Sequence, residues 1–153
     1  MSVKITPACC DDAAALAVLE QECFSEPWSE EALRAEIASP IARFFAAKQG
    51  DRVVGYAGML LVADEAQITN VAVSGAFRRR GIGRALMLAL IESAREYGAR
   101  ELQLEVRESG LAARALYESV GFVTVGRRKR FYRFPSEDAV LMNKPLSDET
   151  NPI

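Results

Sequence analysis

The sequence predicts an α+β domain, a mixed α/β arrangement of six to seven strands and about four helices. Three observations predict it. Segments of β-type alternation and of helical spacing follow one another in the order β-α-α-β-β-β-α-β-α-β-β, a pattern of layers rather than of separate bundles. Glycine or proline stands at most of the breaks. The chain has 153 residues, 50% of them apolar and 26% charged, enough for one core and little more.

Each element has a local reason. Val3–Thr6 is short and β-branched, an edge strand ahead of Pro7. Asp11 or Asp12 is placed to cap a helix running to about Cys23, with Ala15, Leu16, Leu19 and Cys23 on one face. Glu26-Pro27-Trp28 breaks it, and Ser29 caps a second helix, Glu30–Ala38, whose first turn is acidic. Ser39-Pro40 ends that helix. Arg43–Lys48 and Arg52–Val62 form a hairpin about a Gln-Gly-Asp turn, and Gln67–Val73 is the next strand. Gly83–Tyr97 has the clearest helical spacing and stops at Gly98. Glu101–Val106 alternates, Leu111–Val120 is a helix ended by Gly121, and Phe122–Arg128 and Ala139–Lys144 close the sheet. Residues 1–146 thus read as one domain, and Ser147–Ile153 as a polar tail.

Composition excludes several chemistries. There is no histidine, so Ser-His triads, His-containing zinc sites and His bases are out, and acid–base work falls to Glu, Asp, Tyr, Lys or Cys. Cys9, Cys10 and Cys23 are odd in number and two are adjacent, which is no disulfide framework. They read as buried or inert thiols rather than as acyl carriers. No apolar run reaches the roughly 18 residues of a membrane helix, and Met1–Asp12 lacks the apolar stretch of a signal peptide. The expected location is the cytoplasm, and no membrane partner or metal is expected. Charge is uneven: Arg78–Arg133 holds thirteen Lys and Arg against six Asp and Glu, whereas residues 1–40 hold eight acids and two bases. The basic half suits a polyanion and the acidic segment a cation, unless both are solvated surface.

The segment Val71-Ala72-Val73-Ser74-Gly75-Ala76-Phe77-Arg78-Arg79-Arg80-Gly81-Ile82-Gly83-Arg84 joins a strand to the strongest helix. Gly81 and Gly83 allow close approach of a ligand, and free amides at the helix start make an anion site flanked by four arginines. It is neither a Walker A loop, since the Gly-Lys-Ser/Thr ending is missing, nor the dinucleotide fingerprint, since Leu86 stands where a third glycine belongs.

Arg78-x-x-Gly81-x-Gly83 after Val71-Ala72-Val73 resembles the acetyl-coenzyme A motif of the GNAT acetyltransferases, and the likeness spans about residues 3–146. Three further segments, Glu26-Pro27-Trp28-Ser29, Leu104-Glu105-Val106-Arg107 and Ala115-Leu116-Tyr117-Glu118-Ser119-Val120-Gly121-Phe122, resemble the RimI-type group. Members of that group acetylate the N-terminal alanine of a small-subunit ribosomal protein. The resemblance implies the GNAT fold, a central mostly antiparallel sheet of six to seven strands flanked by about four helices, and acetyl-coenzyme A as cosubstrate. It implies that Val71, Ala72 and Val73 border the pantetheine arm. It further implies that Arg78, Arg79, Arg80, Gly81, Ile82, Gly83 and Arg84 surround the pyrophosphate.

By pattern alone Glu105 is a solvated strand glutamate, in opposite phase to Leu102, Leu104 and Val106. The resemblance makes it the general base. Tyr117, beside Leu116 on a helix, reads alone as a core or rim tyrosine. The resemblance makes it the acid for the coenzyme A thiolate. RimI-type chains usually carry Asn where Gly110 stands; that Asn contacts the cofactor arm, so pocket shape or affinity differs here. Trp28 is either a helix-entry packing residue or a wall for a cationic acceptor peptide. The resemblance, in which the closing hairpin walls the acceptor slot, makes Tyr132 a substrate-side residue. The implied partner is the N-terminus of an acceptor protein, a ribosomal protein by the resemblance. The alternative acceptors are a small-molecule amine or a lysine side chain. A nucleic-acid module built on Arg127–Arg133 is the third reading; the sequence pI of about 5.3 argues against it, and direct nucleic-acid binding is not expected.

Overall fold

A computed structural model describes residues 2–146. The elements are β1 (Lys4–Pro7), α1 (Ala13–Cys23), α2 (Glu30–Ala38), β2 (Ala42–Gln49), β3 (Arg52–Val62), β4 (Glu65–Val73), α3 (Ile82–Tyr97), β5 (Glu101–Arg107), α4 (Leu111–Ser119), β6 (Val123–Tyr132) and β7 (Glu137–Pro145), with short 3₁₀ turns at Cys10–Asp12 and Gly75–Phe77. The order of elements is the one the periodicity predicts, and the seven strands lie side by side as β1-β2-β3-β4-β5-β7-β6. All neighbours are antiparallel except β4 and β5. The predicted tail at 147–153 lies outside the described residues.

The caps show why the helices sit where they do. Ser29 Oγ accepts the Ala32 N–H at 3.1 Å, and Gly98 closes α3 with φ of 96°. Asp12 does not cap α1 as expected. Its carboxylate instead accepts the Cys9 N–H at 2.9 Å and pairs with Lys48 at 2.9 Å, and the chain enters α1 through the 3₁₀ turn. Burial raises the carboxyl's pKa, but those bonds and the Lys48 charge outweigh it, and the net shift is downward. The last hairpin is longer than predicted. β6 runs past the predicted end at Arg128 to Tyr132, and β7 begins at Glu137 rather than Ala139; the exposed basic residues around 127–130 hide the alternation.

Two cores flank the sheet. One gathers Leu86, Met87, Leu90 and Ile91 of α3 with Leu102, Leu104 and Val106 of β5 and Tyr117 of α4. The other gathers Leu16 and Leu19 of α1 and Leu33 of α2 with Phe44, Tyr56 and Ala72. Each large side chain sealed in them contributes about 1.5–3 kcal/mol of transfer free energy. Strand β4 serves both. Gly58 pairs with Asn70 but Met59 with Ile68, so Thr69 is an extra residue, a bulge. The bulge shifts the phase of the strand: Ala66 and Ile68 join the α3 core, whereas Ala72 joins the α1 core.

Candidate active site

The site arises where the sheet splits. β4 and β5 pair only at Glu65–Glu101, Ala66–Leu102 and Gln67–Gln103. Beyond that rung the strands diverge, and residues 68–71 and 104–107 face each other across a cleft of about 470 Å³. Glu20, Phe24 and Trp28 of α1 and the following loop form one wall, and Gly110, Ala113, Tyr117 and Tyr132 form the other. The peptide groups of β4 past Gln67 that face β5 have no strand partner there, so an extended chain can pair with them.

The structure therefore brings Trp28, Val71, Glu105, Gly110, Tyr117 and Tyr132 into one cleft, although they are scattered over more than a hundred positions. Glu105 keeps the predicted phase: its neighbours Leu104 and Val106 are in the α3 core, and its carboxylate pairs with Arg128 at 3.3 Å. Tyr117 is buried and packs on Phe122, with ring centroids 6.0 Å apart. Burial first, and then Tyr132, push its hydroxyl pKa up to about 12, so it holds its proton at neutral pH. Tyr132 is likewise raised to about 12, by burial and then by the Glu105 charge, while Arg107 pulls the other way. Trp28 packs against the α1 core and also lines the cleft.

The glycine turn lies at the far end of β4. Gly81 caps α3 with φ of 79°, and Arg79 also has a positive φ of 64°. Alternating left-handed residues form a concave run of backbone amides suited to an anion. The first helical bond runs from the Ala85 N–H to the Gly81 carbonyl, so the amides of Ile82, Gly83 and Arg84 ahead of it are open to a ligand. Gly83 has a second reason to be glycine: a Cβ there would meet Leu116 Cδ2 at 3.1 Å.

The arginines divide their tasks. Arg80 lies over the Phe77 ring at 5.0 Å. Arg78 donates to the Val73 carbonyl at 3.1 Å, and Arg84 donates to Ser119 Oγ at 3.1 Å. Those two thus brace the turn from both sides. Ala72 is turned into the α1 core, away from the cleft. An anion cradle, an unpaired strand edge and a cleft with a carboxylate and a protonated phenol fit a long phosphorylated cosubstrate whose far end reacts in the cleft.

Sequence reasoning missed three residues of this site. Arg107 stacks 4.5 Å from the Tyr132 ring centre, pairs with Glu137 at 3.1 Å and donates to the Arg133 and Pro135 carbonyls, which fixes the hairpin wall. Glu20 and Asn70 line the cleft from α1 and β4 and hydrogen-bond each other at 3.2 Å. Glu20 has no motif around it, and Asn70 is reachable only by knowing that β4 is bulged.

The model of the acetyltransferase (GNAT) family matches residues 13–122. The chain is 38% identical over 143 residues to the N-alpha-acetyltransferase RimI of Mycobacterium tuberculosis, covering 90% of this chain and 89% of that one. It is 37% identical over 131 residues to the ribosomal protein bS18-alanine N-acetyltransferase of Escherichia coli, covering 84% and 88%. The crystal structure of the ribosomal-protein-S18-alanine N-acetyltransferase from Escherichia coli superposes with a TM-score of 0.88 at 34% identity, covering 95% of each chain.

Proposed function

The chain belongs to the GNAT acetyltransferase family, and from that premise we propose that it moves acetyl from acetyl-coenzyme A to the N-terminal α-amine of a protein, the N-terminal alanine of a small-subunit ribosomal protein. The observation that carries this reading is the set of relatives named for that reaction, at 37–38% identity over most of the chain. The cleft supports it: it is open enough for a peptide end and lined by groups for two proton movements.

In this reading Arg79, Arg80 and the amides of Ile82, Gly83 and Arg84 hold the pyrophosphate, with Arg78 bracing the turn. The β5-facing edge of Val71 and Val73 pairs with the pantetheine arm, and Gly110 borders it. Acetyl-coenzyme A supplies the activated acetyl group. Glu105 removes a proton from the acceptor ammonium, directly or through water, and the free amine attacks while both substrates are bound. Tyr117 gives its proton to the departing thiolate. Its raised pKa keeps that proton in place until it is needed. Trp28 and Tyr132 flank the acceptor. An enzyme of this kind works in the cytoplasm, where its acceptor is made; among the described residues no helix is long and apolar enough to cross a membrane.

The test is direct. Purified protein is given acetyl-coenzyme A and two peptides that begin Ala-Arg before a basic stretch, one with its α-amine blocked. One acetyl gained by the free peptide alone is expected. Acetylation at an internal lysine, or of a small amine in preference to the peptide, overturns the reading.

A further inference from the structure

Three carboxylates line the cleft: Glu20, Glu26 and Glu105. Two of them have cationic partners on β6 and the turn that follows it. Arg133 lies 3.0 Å from Glu26, and Arg128 lies 3.3 Å from Glu105. Glu20 differs. It is 1% exposed, and among the described residues no Lys or Arg stands within ion-pair distance of it.

Its partners are neutral donors. Tyr56 O–H donates to Oε2 at 2.5 Å, Asn70 Nδ2 to the same oxygen at 3.2 Å, and the Trp28 N–H to Oε1 at 2.9 Å. Three donors aimed at one carboxyl are the setting of a carboxylate, which only accepts, and not of an acid, which must donate. Tyr56 holds the proton it donates. Burial, and then Glu20, push its phenol pKa far above the usual value. Because Asn70 turns its amide nitrogen toward the carboxylate, its Oδ1 is left buried without a hydrogen-bond partner. The base of the cleft thus holds an uncompensated charge and a stranded carbonyl, both of one sign.

Folding alone does not call for that charge. A glutamine at this position would still accept from the Trp28 N–H. Its amide nitrogen would face the Tyr56 oxygen and, after a flip of Asn70, the stranded Oδ1. The unpaired charge costs desolvation that the glutamine would avoid.

We propose that Glu20 is the counter-charge for the acceptor's α-ammonium, so that the cleft selects a cationic chain end over a neutral one of the same shape. The proposal rests on the α-amine reading given above. Glu20 is a positioning residue: its carboxylate is sealed under the cleft base and acts through low-dielectric surroundings, where charges reach further and salt screens them weakly. Glu26 and Glu105 have arginines beside them and contribute less net field.

The test uses the protein saturated with coenzyme A, so that nothing turns over, and measures peptide binding by calorimetry. One peptide begins with free alanine. The other carries propionyl in its place, the same chain end without the ammonium. Wild type should prefer the ammonium by about tenfold or more, the scale of one partly buried unit charge, and the preference should persist at high salt. Glu20→Gln should reduce it to within about twofold while leaving the propionyl peptide's affinity unchanged. An equal loss for both peptides assigns Glu20 to loop support only and overturns the proposal. So does an unchanged preference in the variant, or a wild-type preference abolished by salt, which places the selecting charge on the surface. The salt arm needs no variant, so it decides even if Glu20→Gln fails to fold. Binding of neither peptide by wild type overturns the α-amine reading itself, an outcome distinct from binding without preference.

Discussion

Arg133 Nη2 lies 3.0 Å from Glu26 Oε2, joining the closing hairpin to the loop between α1 and α2 across 107 positions of sequence. These two segments face each other over the cleft, so the pair sets the width of its mouth. Both side chains are well exposed, at 73% and 44%, and an exposed pair contributes at most about 1 kcal/mol. Arg133→Ala is therefore expected to raise the acceptor KM by about fivefold or less, with kcat nearly unchanged and the difference shrinking at high salt. Steady-state kinetics at two ionic strengths check this. A large fall in kcat would mean that the hairpin does more than hold the mouth.

Glu105→Gln tests the base. The variant keeps the shape of the side chain and removes its ability to take a proton. A fall in kcat of about 10²–10⁴-fold is expected, the usual weight of one general base, with coenzyme A affinity unchanged. The ion pair with Arg128 is half exposed on the arginine side, so its loss should alter stability little. An unchanged rate removes Glu105 from the mechanism.

Tyr117→Phe tests the acid and carries a pH signature. Burial raises the folded-state pKa from 10.0 to about 12. The folded protein thus holds this proton more tightly than the unfolded chain. The associated stability is whole below about pH 10 and is lost as pH rises from about 10 to about 12. Wild type should lose melting temperature more steeply than Tyr117→Phe in that window. The variant's rate should fall at neutral pH, mainly in kcat. Parallel melting curves through pH 12 would show that the phenol is not held in this way.

Gly110→Asn tests the departure from the RimI-type pattern. Gly110 precedes α4 with φ of −78°, a value any residue adopts, and no side chain caps the helix there. A Cβ would meet the Arg107 carbonyl at 3.2 Å, a contact that needs a small adjustment. Asparagine at such a cap is worth a few tenths of a kcal/mol over glycine. The expected outcome is equal or slightly higher melting temperature and severalfold tighter coenzyme A binding, read by calorimetry. Weaker binding would mean that the pocket is shaped around the glycine.

How much of this was legible in the sequence depends on whether the signal was local. The α3 stripe, the Ser29 cap and the Gly81–Gly83 turn each lie within a few residues and were readable directly. Glu105 was readable because one strand has one phase. β4 was readable as a strand but its faces were not, because a bulge at Thr69 leaves the apolar alternation of 65–73 looking continuous while the faces exchange. The role of Asp12 was misplaced for a similar reason: Lys48, its partner, comes from a strand that sequence cannot place beside it. Glu20 is the extreme case. In the run Leu19-Glu20-Gln21-Glu22 it looks like any surface acid, and only the convergence of α1, β3 and β4 buries it.

The two glycines of the anion turn are expected to fail differently. At Gly81 a Cβ would meet nothing within 4 Å, so the cost of Gly81→Ala is the left-handed backbone at φ of 79°, about 1 kcal/mol. If the backbone relaxes to a right-handed value, the amides of residues 82–84 turn with it and coenzyme A binding weakens. At Gly83 the backbone is ordinary helix and the obstacle is Leu116 at 3.1 Å. Gly83→Ala therefore pushes α3 away from α4, loosening the wall that holds Tyr117, by about 1–3 kcal/mol of strain. Replacing Leu116 as well, by alanine, opens that space, so the double variant should be less destabilised than the two single changes together. Gly81→Ala should show no such coupling to Leu116. Melting temperatures of the two double-mutant cycles, with coenzyme A titrations of each single variant, separate a backbone requirement from a packing one. Equal coupling in both cycles would contradict the assignment of Gly83 to helix packing.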